Sequence, residues 1–339
     1  MKKILYFFVC ILTSCVSSVD EVIIENNVFQ VASEKIEVKE TLFVDRIGIY
    51  DSLLVVINRK AEPVFCVYDN ESFAFKGCFG EIGHGPDDFQ FPFFLNNTNF
   101  VNGVLELYDV NAASFKKLPL NKMLDKVANS VVSVKIPSPL IGSPNLTRIN
   151  QDDFIGNIDS GRGLFFMYKG EIETMRWIEF PTVLHQPKND FTVMNMNRIT
   201  IHPQSHEVVS AMGYYNLIFL YNNSGILKKT IQISDKEIQP TIIGEYQLSE
   251  DNYICCREIT STEKDVYVLM PNIKEKNFEK NDNPPSRILV FDWNLNYQKT
   301  YELPHYAMTF TLDESQNRII YTTLNEEGGT DLYYIPLSE

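Results

Sequence analysis

Several things are scarce in this 339-residue chain. After its first dozen residues, no segment is long and apolar enough to span a bilayer, which takes about 20 residues. There is no GxSxG, no HExxH, no P-loop and no glycine fingerprint opening a helix after a strand, so no motif nominates a catalytic residue. There is no CxxC pair and no zinc-ligand spacing. Amphipathic helical patterns are almost missing; the best is residues 120–128, where Leu120, Met123, Leu124 and Val127 share a face. Positive charge is in deficit, with 30 Lys and Arg against 44 Asp and Glu and a formal charge of −14. That balance excludes nonspecific nucleic-acid binding, which relies on cations neutralising phosphate. The five histidines, His84, His185, His202, His206 and His305, are scattered. Pro203 interrupts any helix that would display His202 and His206 together to a metal.

The N-terminus carries a different signal. Lys2 and Lys3 precede a short apolar run, residues 4–12, and then Leu12-Thr13-Ser14-Cys15. Charge, short apolar run and small residues fit a secretory signal. The tetrapeptide resembles the cleavage motif of bacterial lipoproteins, in which the cysteine becomes the lipid-bearing first residue. The expected organisation is a signal peptide over 1–14, a tether over 15–30 following lipidated Cys15, and one domain over 31–339. Removing Lys2 and Lys3 takes the formal charge from −14 to −16. Asp20 and Glu21, close behind Cys15, resemble weakly the surface-export signal of Bacteroidetes lipoproteins. The expected location is the cell envelope at the outer membrane, facing the periplasm or the outside.

From residue 29 onward, short apolar strands alternate with turn residues at the spacing of an all-β fold. The 40 Phe and Tyr residues (23 and 17) suit strands and supply a large core. A larger period groups the strands into six units, over residues 48–79, 91–118, 146–180, 198–233, 242–303 and 308–335. The fifth draws its strands from 242–249, 253–258, 287–292 and 298–303, with a polar insertion at 274–286. Four strands per unit at this period is the signature of a β-propeller. The phrase Tyr-Asp or a variant closes a strand before a polar turn at Asp69, Asp109, Asn222 and Asp292, where the side chain can hold nearby backbone. The sixth unit has three clear strands. Closing the ring therefore calls on residues 34–43 as its outer strand.

Between the first two units lies Gly80-x-x-Gly83-x-Gly85-Pro86-x-x-Phe89-x-x-Pro92, whose glycines and proline demand a sharply turned backbone. This motif resembles the interblade loop of six-bladed β-propeller lipoproteins of Bacteroidetes, the TolB-like or NHL-like family. There the pattern reads G-x-x-G-x-G-P-G-E-F, and Asp87 and Asp88 replace its Gly-Glu. The resemblance implies fold and address, and it hands over no catalytic residues. His84, Asp87 and Asp88 are the polar candidates for ligand binding, with backbone capping as their structural alternative. Calcium in a central channel is compatible with carboxylates, though no loop motif supports it. Cys66 and Cys78 flank a turn and are placed to pair as a disulfide or to pack as free thiols. Cys255 and Cys256, being adjacent, should face opposite sides of a strand. Tyr214-Tyr215 and the long connection 183–195, with His185, Lys188 and Asp190, are further candidates for a binding face.

The expected function is a membrane-anchored module that binds a protein or glycan partner. The alternative is a metal-dependent propeller enzyme of lyase or lactonase type, with its site in the channel. Replacing Cys15 by Ala is expected to abolish lipid labelling and to move the protein into the soluble fraction. Unchanged membrane retention would contradict the anchor.

Overall fold

Apolar residues at both odd and even positions of a strand require cover on both faces of the sheet. Leu54, Val55, Val56 and Ile57 show the consequence, since all four are buried, with even and odd positions in two different core clusters. A computed structural model of the chain describes residues 19–22, 27–38, 42–58, 61–95, 103–143, 145–158, 162–184, 193–234, 238–243, 247–271, 273–278, 280 and 283–337. Six antiparallel four-stranded blades make up a propeller ring. Blade 1 comprises Val44–Tyr50, Leu53–Asn58, Phe65–Asp69 and Phe75–Phe79, from axis to rim. Blade 2 comprises Pro92–Phe94, Val104–Asp109, Ser114–Pro119 and Val132–Lys135, and blade 3 Asn145–Arg148, Phe154–Asn157, Phe165–Lys169 and Thr174–Ile178. Blade 4 comprises Asn197–Ile201, Val208–Met212, Leu217–Tyr221 and Leu227–Ile233. Blade 5 comprises Glu258–Ser261, Asp265–Met270, Arg287–Asp292 and Tyr297–Glu302. Six interblade cores, one per junction, fill the space between neighbours. Burying each Leu, Ile, Val or Phe in them contributes roughly 1.5–3 kcal/mol.

Blade 6 comprises Thr309–Asp313, Arg318–Leu324 and Thr330–Pro336, and its outer strand is Glu34–Ile36, paired antiparallel to Thr330–Pro336. The ring is therefore closed by the N-terminal segment, as the strand count requires. Ile36 and Leu42 join Leu54, Val56, Ile320 and Leu332 in the core between blades 6 and 1. A buried ion pair seals the same junction. Arg318 Nε donates to Asp313 Oδ2 at 2.9 Å, and Arg318 Nη2 donates to the carbonyl of Asn70 in blade 1. The guanidinium lies 4.3 Å from the ring centre of Phe73.

Two expectations from sequence need correction. Residues 242–243 and 247–248 form a small separate ladder, and Tyr253–Ile254 pairs with Ile273–Lys274, so neither segment belongs to blade 5. Asp265–Met270 takes the place in the blade, because its alternating Val266 and Val268 complete the core against blade 4. Within the stretch expected to be a tether, the described residues pair with the ring. Val19–Val22 runs parallel along the outer strand of blade 4, and Val28–Gln30 along that of blade 5. The helical pattern of 120–128 yields one short helix, Leu120–Leu124, and Val127 is exposed. Residues 1–18, including Cys15, lie outside the described residues. Among the described residues, no helix is long and apolar enough to cross a membrane.

The Tyr-Asp phrase acts as turn chemistry. Asp69 accepts from the Ser72 amide at 3.0 Å, Asp109 from the Gln90 and Phe91 amides at 3.0 and 2.9 Å, and Asp292 from the Asn294 and Asn296 amides at 2.8 and 2.9 Å. Cys66 and Cys78 are cross-strand partners in blade 1 and are joined as a disulfide.

Arg318→Ala leaves Asp313 buried without its counter-charge. The expected loss is about 3 kcal/mol, read as a lower urea midpoint; a wild-type midpoint would contradict a latch at the closing junction.

Candidate functional site

The glycine-rich loop connects the rim of blade 1 to the axis of blade 2, and its polar side chains are occupied locally. Asp88 Oδ2 accepts from the Gly85 amide at 2.7 Å. A Cβ at Gly83 or Gly85 would meet that oxygen at 2.3 or 2.7 Å, so a larger residue at either position would displace the Asp88 carboxylate from its cap. Asp87 accepts from the backbone amides of Val131, at 2.9 Å, and of Asn129, fastening the loop to the approach of the outer strand of blade 2. His84 is exposed and bonds Gln90 at 3.0 Å. Asp87 and Asp88 border an open rim groove beside Met123 and Val127, and none of the three residues lines the central channel. The capping alternative accounts for both carboxylates.

Other candidates also resolve into structure. His202 Nδ1 accepts from the Gln204 and Ser205 amides at 3.1 and 3.2 Å, and its ring packs on Trp293. Tyr214 and Tyr215 are buried in interblade and capping cores rather than offered to a ligand. Cys255 and Cys256 are buried free thiols, and burial pushes both up to about 12, so neither is a nucleophile at neutral pH. His185, Lys188 and Asp190 lie outside the described residues.

The site that does assemble is the channel. The innermost strands of the blades enclose a cavity of about 440 Å³, to which every blade contributes. Arg46 stands after a bulge in the inner strand of blade 1. Its Nη1 lies 3.4 Å from Glu258 Oε1 and its Nε 3.6 Å from Asp45 Oδ2. The second oxygen of Glu258 accepts from the Thr309 hydroxyl. Arg198, on the inner strand of blade 4, donates from Nε to the Arg257 carbonyl at 3.2 Å and from Nη1 to the Asn197 carbonyl at 3.4 Å. Arg257 donates from Nε to the Met308 carbonyl at 3.3 Å and stacks 4.5 Å over Phe278. Among the described residues, neither Arg198 nor Arg257 has a carboxylate within ion-pair distance.

The protonation energetics follow from this spacing. Burial, reinforced by Arg46 and Arg257, lowers Arg198 to about 10. Burial and Arg46 likewise lower Arg257. Burial works against the charge of Arg46 too, but Glu258 and Asp45 outweigh it and raise its affinity for the proton. At neutral pH all three stay charged, and the two carboxylates within ion-pair distance, Asp45 and Glu258, both belong to Arg46.

The start of the polar insertion, residues 273–278, packs beside this end of the channel. Ile273–Lys274 is laddered to Tyr253–Ile254, Tyr214 donates to Glu275 Oε2 at 3.1 Å, and Phe278 covers Arg257. The arginines were missed in the sequence reading. Their signal is a repeated placement, with an arginine beside the start of the inner strand in Val44-Asp45-Arg46, Asn197-Arg198 and Arg257-Glu258.

Among the described residues, no group of three or more His, Cys, Asp or Glu side chains is arranged to hold a metal ion. The channel offers guanidinium groups, a carboxylate already shared by Arg46 and Thr309, and the separate carboxylates of Asp51 and Glu314 at its far end. This donor set does not fit calcium, which takes six or more oxygens.

No family model matches the chain, and no curated protein matches it. Solved structures do. A Bacteroides fragilis protein described as exported is similar at 12% identity and a TM-score of 0.57, over 95% of this chain and all of that one. A DUF4221 family member from Bacteroides vulgatus is similar at 9% identity and a TM-score of 0.57, over 92% of this chain and 96% of that one. A luciferin-regenerating enzyme is similar at 10% identity and a TM-score of 0.50, over 90% and 95%. At these identities the likeness is one of fold.

Asp87→Ala removes two charge-assisted backbone bonds and is expected to cost about 1–2 kcal/mol. Chemical denaturation checks the loss. A variant as stable as wild type would contradict the capping role.

Proposed function

We propose that this chain is an exported cell-envelope lipoprotein, held at the outer membrane through Cys15, whose propeller binds a protein or glycan partner. The observation that carries the reading is the axial cavity, a polar space of about 440 Å³ on which all six blades converge. Its wall stands on strands fixed by ladders and interblade packing, so little ordering is needed when a ligand arrives. Hydrogen-bonding groups with no chemistry of their own, such as Asn145 and the Thr200–Ser261 hydroxyl pair at 2.7 Å, suit recognition. Export is supported by the Bacteroides fragilis neighbour described as exported. Anchoring is supported by the residues before Cys15.

The pairing of Val19–Val22 with blade 4 bears on where an anchor would lie. Val19 is fixed to the outer strand of blade 4. The four residues from Cys15 to Val19 reach at most about 14 Å when extended. A lipid on Cys15 therefore holds the rim of blade 4, not the channel axis, nearest the bilayer.

Thr260 lines the cavity from blade 5, and Thr260→Trp should fill much of it. Immobilised wild-type protein is expected to retain a defined glycan or protein from detergent-solubilised envelopes, and the variant to retain none while keeping its far-UV spectrum. Equal retention by both would contradict a binding site on the axis.

A further inference from the structure

We propose that the channel binds a small ligand through an oxyanion, a carboxylate or a sulfate or phosphate ester, seated on Arg198 at the arginine end of the cavity. This deepens the reading of the ring as a binding module and rests on it. A guanidinium offers five N–H donors in a planar fork. Arg198 uses Nε and one Nη1 proton on backbone carbonyls, which fix its plane in the wall. Its Nη2 has no acceptor among the described residues, although Arg198 lines the cavity. Arg257, also without a carboxylate partner, stands behind it and is held between the Met308 carbonyl and the Phe278 ring. Arg46 lies across the same space and has spent its charge on Glu258 and Asp45.

Enclosing an uncompensated cation next to two others is costly unless an anion joins them. The carboxylate that acts on Arg198, Glu258, is already held by Arg46 and Thr309 and does not swing to Arg198 without breaking both contacts. An incoming oxyanion supplies the missing charge and accepts from Nη2, in the geometry that makes arginine the preferred partner of carboxylate, sulfate and phosphate groups.

The opposite end of the cavity sets the orientation. Asp51 and Glu314 line it where the inner strands of blades 1 and 6 end. From Arg46 to Asp51 is five residues of strand, roughly 16 Å. Burial and the neighbouring Glu263 raise the affinity of Glu314 for its proton. A ligand fits with its oxyanion toward Arg198 and hydroxyl donors toward Asp51 and Glu314. A cavity of about 440 Å³ admits one or two sugar rings, whether of a free molecule or at the end of a larger partner.

Titration calorimetry at low ionic strength tests this with D-glucuronate, its neutral counterpart D-glucose and inorganic sulfate. Glucuronate and sulfate are expected to bind wild type one to one, and glucose at least tenfold more weakly than glucuronate. Arg198→Gln should weaken glucuronate roughly tenfold to a hundredfold. Arg198→Lys, which keeps the charge but loses the fork, should fall between. Arg287→Gln, on the surface beside Glu302, should bind as wild type. Melting curves of each variant establish that the ring is intact. Sulfate binding without glucuronate binding would assign the site to sulfate or phosphate esters and support the oxyanion. Glucose binding as tightly as glucuronate would overturn the oxyanion while leaving the binding module standing. A folded Arg198→Gln protein with wild-type glucuronate affinity, or no binding of either anion to wild type, would also overturn it.

Discussion

The fold depends on one constraint: every blade is apolar on both faces, so every blade needs two neighbours. A linear stack would leave the outer faces of its first and last blades bare. Closure removes that exposure, and the chain achieves it by bringing residues 34–36 back to the rim of blade 6, nearly 300 residues from the strand they join. The junction so formed holds its own core of Ile36, Leu42, Val56 and Leu332 and the Arg318–Asp313 pair that reaches Asn70 across the seam. That ion pair is satisfied on both sides, which separates it from the arginines at the axis.

Ring closure also creates the channel. Inner strands from all six blades are forced to face one axis, so charged residues far apart in sequence, Arg46, Arg198 and Arg257, come together. The core between blades is blind to them because they stand beside the starts of the strands, where side chains reach the axis and not a neighbouring blade. The result is an arginine cluster at one end of a rigid channel, with Asp51 and Glu314 at the other, on a chain that is acidic as a whole. Nonspecific attraction of anions is thereby disfavoured at the surface, while recognition is concentrated at one enclosed place.

Much of the architecture was legible because its physics is local. Short apolar runs such as Leu53–Asn58 and Val208–Met212, Asp and Asn at strand ends, and a short sixth unit together dictated strands, turns, blade count and closure. Blade 5 was misread because Ile242–Ile243 and Tyr253–Ile254 carry strand residues yet pair outside the blade, and pairing partners are a tertiary property. The glycine-rich loop drew attention by composition, but Asp87 and Asp88 serve its backbone. The arginines were illegible for the opposite reason. Each is ordinary in its own strand, and only the ring makes them neighbours.

Anomalous diffraction from crystals soaked in sodium selenate, and separately in sodium bromide, tests the cationic axis most directly. An anomalous peak within hydrogen-bonding distance of Arg198 Nη2, inside the channel, is the expected result. A channel without a peak, in crystals whose surface lysines and arginines carry them, would contradict an arginine cluster open to an anion at the axis.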